Sequence, residues 1–374
     1  MASAKPAKEA DRQAEVIRMI APRNFHQHLW LPETGSYEKL RVTFATTSNF
    51  DDQSLPAFIF VGPMFGSRYL ALLFDKLAKE TGVRGIAVDR PGIGGSTPVP
   101  LEQRLDVWLE TVSALLQHLN LKHVALFTHS AGTVYTLNTL CRLPDVLDPK
   151  SPFVAFIGPW VHSEHSKVAL MSLVNQLPPS IFSAWSDISM FVNKNIAPAT
   201  SWSGGVVSSI GSFFSGNKPE ADSEGETEAQ AKYGVDKETA KDLEDFNFKY
   251  IMAESLKGAN DEALLCSKAR GRISWGTCDD YMTCIRTISD LQQERLAKDP
   301  NAKKFRVRLH FAEDDIMIGK GGQKFFNECW QQSGIEGLVD VKSKEWPGSS
   351  HETVLVEFGK GALPSIFEDI KTGQ

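Results

Sequence analysis

Four short runs, "AFIFVG" (57–62), "RGIAVD" (84–89), "HVALFT" (123–128) and "FVAFIG" (153–158), are apolar at almost every position. Side chains alternate across a strand, so a run that is apolar at consecutive positions needs cover on both faces. Between the runs lie "SRYLALLFDKLAKETG" (67–82) and "LEQRLDVWLETVSALLQHLN" (101–120), apolar at helical spacing and ending in Gly or Asn. Strands that alternate with helices in this way predict an α/β fold, a mostly parallel central sheet flanked by helices.

The same rhythm extends to both sides. "FHQHLWLP" (25–32) and "KLRVTFAT" (39–46) are expected strands joined by the turn "ETGS". From 305 onward "FRVRLHFAEDD" is an expected strand, "KGGQKFFNECWQQSG" a helix, "GLVDVKSKEW" a strand and "SHETVLVEFGKGALPSIFEDIK" a terminal helix. Residues 161–300 break the alternation with helical, aromatic-rich stretches, so they are expected to form a helical cap inserted into a core of residues 1–160 and 301–374. Within it the tract "GNKPEADSEGETEAQAKYG" (216–234) is polar and acidic, and a mobile loop is expected over about 203–235.

Composition narrows the partners. The chain has 374 residues, 42% hydrophobic and 23% charged, with a net charge of −6 and no basic block, so nucleic acid is not an expected partner. No apolar run reaches the ~18 residues of a membrane span, and stable membrane insertion is not expected. Five cysteines, with no C-x-x-C pair, fit free thiols in a reducing compartment, hence a cytoplasmic protein. The sequence does not specify an oligomeric state.

The chemistry centres on "LFTHSAGTVY" (126–135), where Ser130 stands between a buried strand and a helix. A serine there can cap the helix. It can also be a nucleophile on a sharp strand-to-helix turn, whose neighbours two before and two after must be small. Here those neighbours are Thr128 and Gly132. With "FIFVGPMFGS" (58–67), "VDRPGIGGSTP" (88–98) and "GSSHE" (348–352), this stretch resembles the α/β-hydrolase family, of the cap-containing serine hydrolase kind. The resemblance covers most of 50–160 and 300–374 and leaves the cap unmatched.

The resemblance implies the roles. In family order the base is His351, in the loop after the last strand. The other histidines sit elsewhere: His26, His28 and His310 on strands, His118 and His123 near the strand before Ser130, and His129 pointing away from the nucleophile. The acid follows a small residue and two variable positions, and Ala312 in the small place selects Asp315 over Asp314. Glu164, after the preceding strand, is the alternative acid. Asp89, in the glycine-rich turn, is expected to be structural. The oxyanion donors implied are the N–H of Ala131 and one from the loop after "FIFVG". There the sequence departs from the family: Pro63 has no N–H, so either the role passes to Met64 or Phe65 or the second donor is missing.

Ser130 excludes the aspartate nucleophile of epoxide or haloalkane hydrolysis. "HQH" (26–28) and "HSEH" (162–165) lack a matching set of further ligands, so neither metal nor cofactor is expected. Trp160, directly after a strand, is the expected substrate contact. The other cap aromatics, Phe182, Trp185, Phe191, Trp202, Trp275 and Tyr281, are expected mainly in the cap core. The reading is a serine hydrolase acting through an acyl-enzyme on a small ester, lactone or thioester of apolar or aromatic character. The alternatives are a lyase, cyclase or acyltransferase with the same residues, and a ligand-binding protein without turnover.

Overall fold

A computed structural model describes residues 4–168, 222–268, 273–356 and 361–373. Eight strands make one sheet: β1 (Gln27–Leu31), β2 (Leu40–Thr46), β3 (Ala57–Val61), β4 (Arg84–Val88), β5 (Ala125–His129), β6 (Phe153–Ile157), β7 (Phe305–Asp314) and β8 (Val339–Ser350). Their order is β1-β2-β4-β3-β5-β6-β7-β8. β2 runs antiparallel to β1 and β4, and every neighbouring pair from β4 to β8 is parallel.

The helices are α1 (Ala4–Ile20), α2 (Asp75–Thr81), α3 (Arg104–His118), α4 (Gly132–Arg142), α5 (Ser163–Ser166), α6 (Asp222–Tyr233), α7 (Lys237–Ala253), α8 (Gly258–Ser267), α9 (Tyr281–Lys298), α10 (Gly319–Cys329), α11 (Thr353–Val356) and α12 (Leu363–Thr372). The doubly apolar runs are buried as their pattern requires. Ile59, Val61 and Leu126 face one core, while Phe58, Phe60 and Phe127 face the other. On that second face Phe60 stacks on Phe127 at 4.7 Å and Phe58 on Phe367 of α12 at 5.0 Å. Each such ring contributes about 1.5–3 kcal/mol by burial, so these strands hold the sheet centre in place.

Four sequence expectations differ from the structure. The acidic tract is helical from Asp222 to Tyr233, while its residues before 222 lie outside the described set. Its Ala, Glu, Gln and Lys content favours helix, Ala229 and Tyr233 are buried, and Gly234 closes the helix at φ 76°. Residues 67–82 form not one helix but a 3-10 turn, Arg68–Leu73, followed by α2. The turn arises because Arg68 is drawn inward, donating to Asp89 Oδ2 at 2.6 Å and to both Glu254 oxygens at 2.6 Å. The terminal helix is divided into α11 and α12, with Pro364 in the first turn of α12, where a missing N–H costs nothing. β8 also outruns its expected end, reaching Ser350.

Between β6 and β7 the described residues are helical apart from short turns, from α5 to α9. α1, absent from the sequence expectations, packs on α7, and Arg12 bonds Asp242 at 3.0 Å and Glu238 at 2.7 Å. Phe182, Trp185, Phe191 and Trp202 lie outside the described residues. Trp275 and Tyr281 are core residues, donating to the carbonyls of Leu265 and Trp160. Among the described residues no helix is long and apolar enough to cross a membrane.

Candidate active site

Ser130 stands at the junction of β5 and α4 with φ 51°, a left-handed backbone that L-residues adopt at a cost of order 1–3 kcal/mol. A helix cap has an extended backbone instead, the position before α4 is taken by Ala131, and the Ser130 hydroxyl is paired with His351. The elbow is held by its main chain. Ser130 N donates to Ile157 O of β6 at 3.0 Å, and Ser130 O accepts from Thr133 N at 2.9 Å and from Trp160 N at 3.3 Å.

The two flanking positions solve a crowding problem differently. A Cβ on Gly132 would lie 2.7 Å from Gly62 O and closer still to Val61 O and Thr128 Oγ1. Glycine is therefore required there. Thr128 fits because its hydroxyl donates to Val61 O at 3.0 Å, turning the close strand-to-strand approach into a hydrogen bond.

His351 lies directly after β8, and its Nε2 is 2.9 Å from Ser130 Oγ. Its Nδ1 is 2.8 Å from Asp315 Oδ2, and the other carboxylate oxygen accepts from Met317 N at 3.0 Å and Ile318 N at 2.8 Å. An ionised carboxylate only accepts, so Nδ1 carries the proton and Nε2 accepts from the Ser130 hydroxyl. All three residues are buried. Burial alone raises the Asp315 pKa, but His351 and the two amides outweigh it, and the carboxyl titrates below its ordinary value. Burial alone lowers the His351 pKa, and Asp315 outweighs that, so the imidazole titrates above its ordinary value.

Gly158, at φ 46°, lets β6 pass the imidazole: a Cβ there would be 3.0 Å from His351 Cε1 and Nδ1. The alternative acids stand apart. Asp314 is exposed at the register shift between β7 and β8, and Glu164 is exposed beside His165 at 3.2 Å and His162 at 3.6 Å.

The loop after β3 forms a turn in which Gly66 N donates to Pro63 O at 2.9 Å. Phe65 occupies its third position with φ 64°, where a type II turn prefers Gly. Met64 and Phe65 thus sit on a strained turn next to the elbow strand. Ala131 is fully buried and leads into α4, where first-turn amides have no partner within the helix. Trp160 is seated in the core, its indole N–H donating to Cys266 O at 2.9 Å. Asp89 is wholly internal, accepting from Arg68 N and Thr43 Oγ1, both at 2.6 Å.

Two features have no clear signal in the sequence. His129 is not simply turned away: its ring packs 4.9 Å from the His351 ring, and Nε2 donates to His351 O at 2.8 Å. Burial lowers its pKa to about 3, so it stays neutral behind the candidate base. The second is Glu262 of α8, which carries no local motif yet is fully buried between Arg90 and Arg104.

No family model and no curated protein sequence matches the chain. Solved structures do. Epoxide hydrolase A of Mycobacterium thermoresistibile is 14% identical, with a TM-score of 0.51 over 93% of this chain and 98% of its own. A membrane phospholipase A described as a bacterial virulence factor is 12% identical, with a TM-score of 0.51 over 99% and 93%. The enol-lactonase of Burkholderia xenovorans is 11% identical, with a TM-score of 0.50 over 92% and 100%. One architecture thus carries several chemistries among these neighbours. The chain has the α/β-hydrolase fold.

Proposed function

We propose that the chain is a serine hydrolase with Ser130 as nucleophile, His351 as general base and Asp315 as the group that orients it. The observation that carries this reading is the continuous hydrogen-bond chain from Ser130 Oγ through His351 to Asp315, at 2.9 and 2.8 Å, on a serine with a left-handed backbone. His351 Nε2 takes the hydroxyl proton as Ser130 Oγ attacks the acyl carbon. The imidazolium is stabilised by Asp315 and returns the proton to the leaving oxygen or sulfur. Water activated by the same imidazole then releases the acid and restores the serine.

The N–H of Ala131 and one from Met64 or Phe65 receive the developing oxyanion. The helices between β6 and β7 act as a cap, and the ring of Trp160 forms part of the pocket wall. The substrate class is a small ester, lactone or thioester of apolar or aromatic character. The hydrolase names of the structural neighbours support hydrolysis at the level of the fold. Pro63, which removes one amide from the usual oxyanion loop, favours a second reading, acyl transfer or elimination by the same three residues.

The test is covalent labelling with a fluorophosphonate, read by intact mass, on wild type and Ser130→Ala, with a short-chain aryl ester assayed alongside. A single adduct that the variant lacks, together with ester turnover, is expected. Labelling without turnover selects the second reading. No adduct in either protein refutes the activated serine.

A further inference from the structure

The loop that carries Met64 and Phe65 is tied to α8 through a fully buried ion cluster. Arg90 Nη1 donates to Gly62 O at 2.7 Å and Nη2 to Pro63 O at 2.5 Å. The other edge of the same guanidinium grips Glu262, with Nε at 3.1 Å from Oε1 and Nη2 at 2.7 Å from Oε2. Glu262 Oε1 also accepts from Tyr135 Oη of α4 at 2.6 Å and from Arg104 Nη2. Arg104 Nη1 reaches Pro91 O at 2.8 Å. The side chains of Arg90, Arg104 and Glu262 are 1%, 0% and 0% exposed.

A buried ion pair is weak evidence for stability, since desolvation offsets most of the attraction. What this cluster supplies is direction. No peptide bond in the described residues is cis, so the N–H of Met64 points opposite to the Pro63 carbonyl. With that carbonyl held by Arg90 and by Gly66 N, the plane of the Pro63–Met64 peptide is set from two sides. Only a planar fork can hold two carbonyls and a carboxylate together.

Glu262 is itself placed by a close backbone contact. Gly258 N donates to Gly92 O at 2.9 Å, and a Cβ on Gly258 would overlap Pro91 O, so α8 is seated on the loop that follows β4. One helical turn later comes Glu262, facing Arg90. Burial alone would raise its pKa, but the two guanidiniums lower it to about 2, so it is charged.

We propose that Glu262 is a positioning residue of the active site: through Arg90 it holds the Gly62 and Pro63 carbonyls, and with them the turn that presents the oxyanion donors beside Ser130. This rests on the serine-hydrolase reading. It also makes the oxyanion loop dependent on a helix of the inserted segment, so a displaced α8 loosens the loop.

The experiment measures fluorophosphonate labelling of Ser130 against reagent concentration and pH, with thermal melting in parallel, on wild type, Glu262→Gln and Arg90→Lys. Glu262→Gln leaves two buried guanidiniums without their carboxylate and risks unfolding. Arg90→Lys keeps the charge and the pairing with Glu262 but cannot bridge both carbonyls, and it decides the matter if the first variant does not fold. The expected result in a folded variant is a limiting labelling rate about 10–100-fold lower, the order of one mispositioned oxyanion donor. The reagent's half-saturation and the pH midpoint, set by His351, stay at wild-type values. A limiting rate within about threefold of wild type overturns the inference while Ser130 still labels. Half-saturation, midpoint and rate all moving together also overturns it, since that is general loosening. A wild type that takes no adduct overturns the triad reading, and the inference with it.

Discussion

Gly132→Ala tests the elbow most directly, because two opposite outcomes follow from two readings. On helix propensity alone, Ala at the start of α4 stabilises by up to about 1 kcal/mol, and no left-handed backbone forbids it. The packing says otherwise. The new Cβ would sit 2.7 Å from Gly62 O, where a C···O contact needs about 3.3 Å, and nearer still to Val61 O and Thr128 Oγ1. Relief requires a shift of about 0.6 Å or more between α4 and the end of β3. Overpacking of this kind costs about 1–3 kcal/mol, and losing the 3.0 Å Thr128–Val61 bond adds about 1 kcal/mol. After the propensity gain, the net expectation is a loss of about 1–3 kcal/mol.

The same shift displaces Ser130 and Ala131 relative to the Met64–Phe65 turn, and displacements approaching 1 Å cost about 100-fold in reactivity. Urea unfolding and fluorophosphonate labelling measure the two effects. Thr128→Gly added to Gly132→Ala does not rescue, because two of the three obstructing atoms are main-chain carbonyls. A Gly132→Ala protein as stable as wild type or more so, labelling at the wild-type rate, refutes the argument.

Other expectations follow from the same geometry. Ser130→Ala keeps the φ of 51° that Ser130→Gly relaxes, so the Gly variant should be more stable by about 1 kcal/mol in urea unfolding, although neither labels. Labelling requires a neutral His351, whose pKa is raised above 6.5; the rate should climb through a midpoint above that value, and Asp315→Asn should move the midpoint down. The His351 contribution to stability is full below its unfolded pKa and lost as pH rises through its folded pKa. The Asp315 contribution, with its pKa lowered, is present above 3.8 and lost as pH falls through the folded value. His129 gives an acid-side effect: between pH 6.5 and about 3 the unfolded chain binds a proton that the folded form refuses, so stability falls with acid. His129→Gln should flatten that limb of a pH series of urea melts, and an unchanged limb would show that His129 is not held neutral.

Sequence order and composition carried a large part of this protein. Runs such as "AFIFVG" can be buried only by cover on both sides, and that requirement is set by the run's own residues. The serine at 130 and the glycine at 132 are legible as the pattern of one sharp strand-to-helix turn, although the crowding that requires the glycine comes from Val61 and Gly62 of the neighbouring strand's end. The family resemblance points to His351 and Asp315, but their meeting depends on β7 and β8 ending side by side, with a register shift between Ala312 and Asp314 that no local pattern announces.

Tertiary structure alone decided the rest. The acidic tract has helix-favouring residues, but its helix α6 is anchored by the burial of Ala229 and Tyr233 against the rest of the fold, which the tract's own composition does not announce. His129 gained its place behind His351 from a residue 222 positions away. Glu262 is one acidic residue among the chain's 46 Asp and Glu, and it acquires its place only when Arg90, 172 positions earlier, is buried against it. Periodicity and turn chemistry act over a few residues and leave their mark in the sequence. Charge pairing across the fold depends on where the whole chain has been brought to rest.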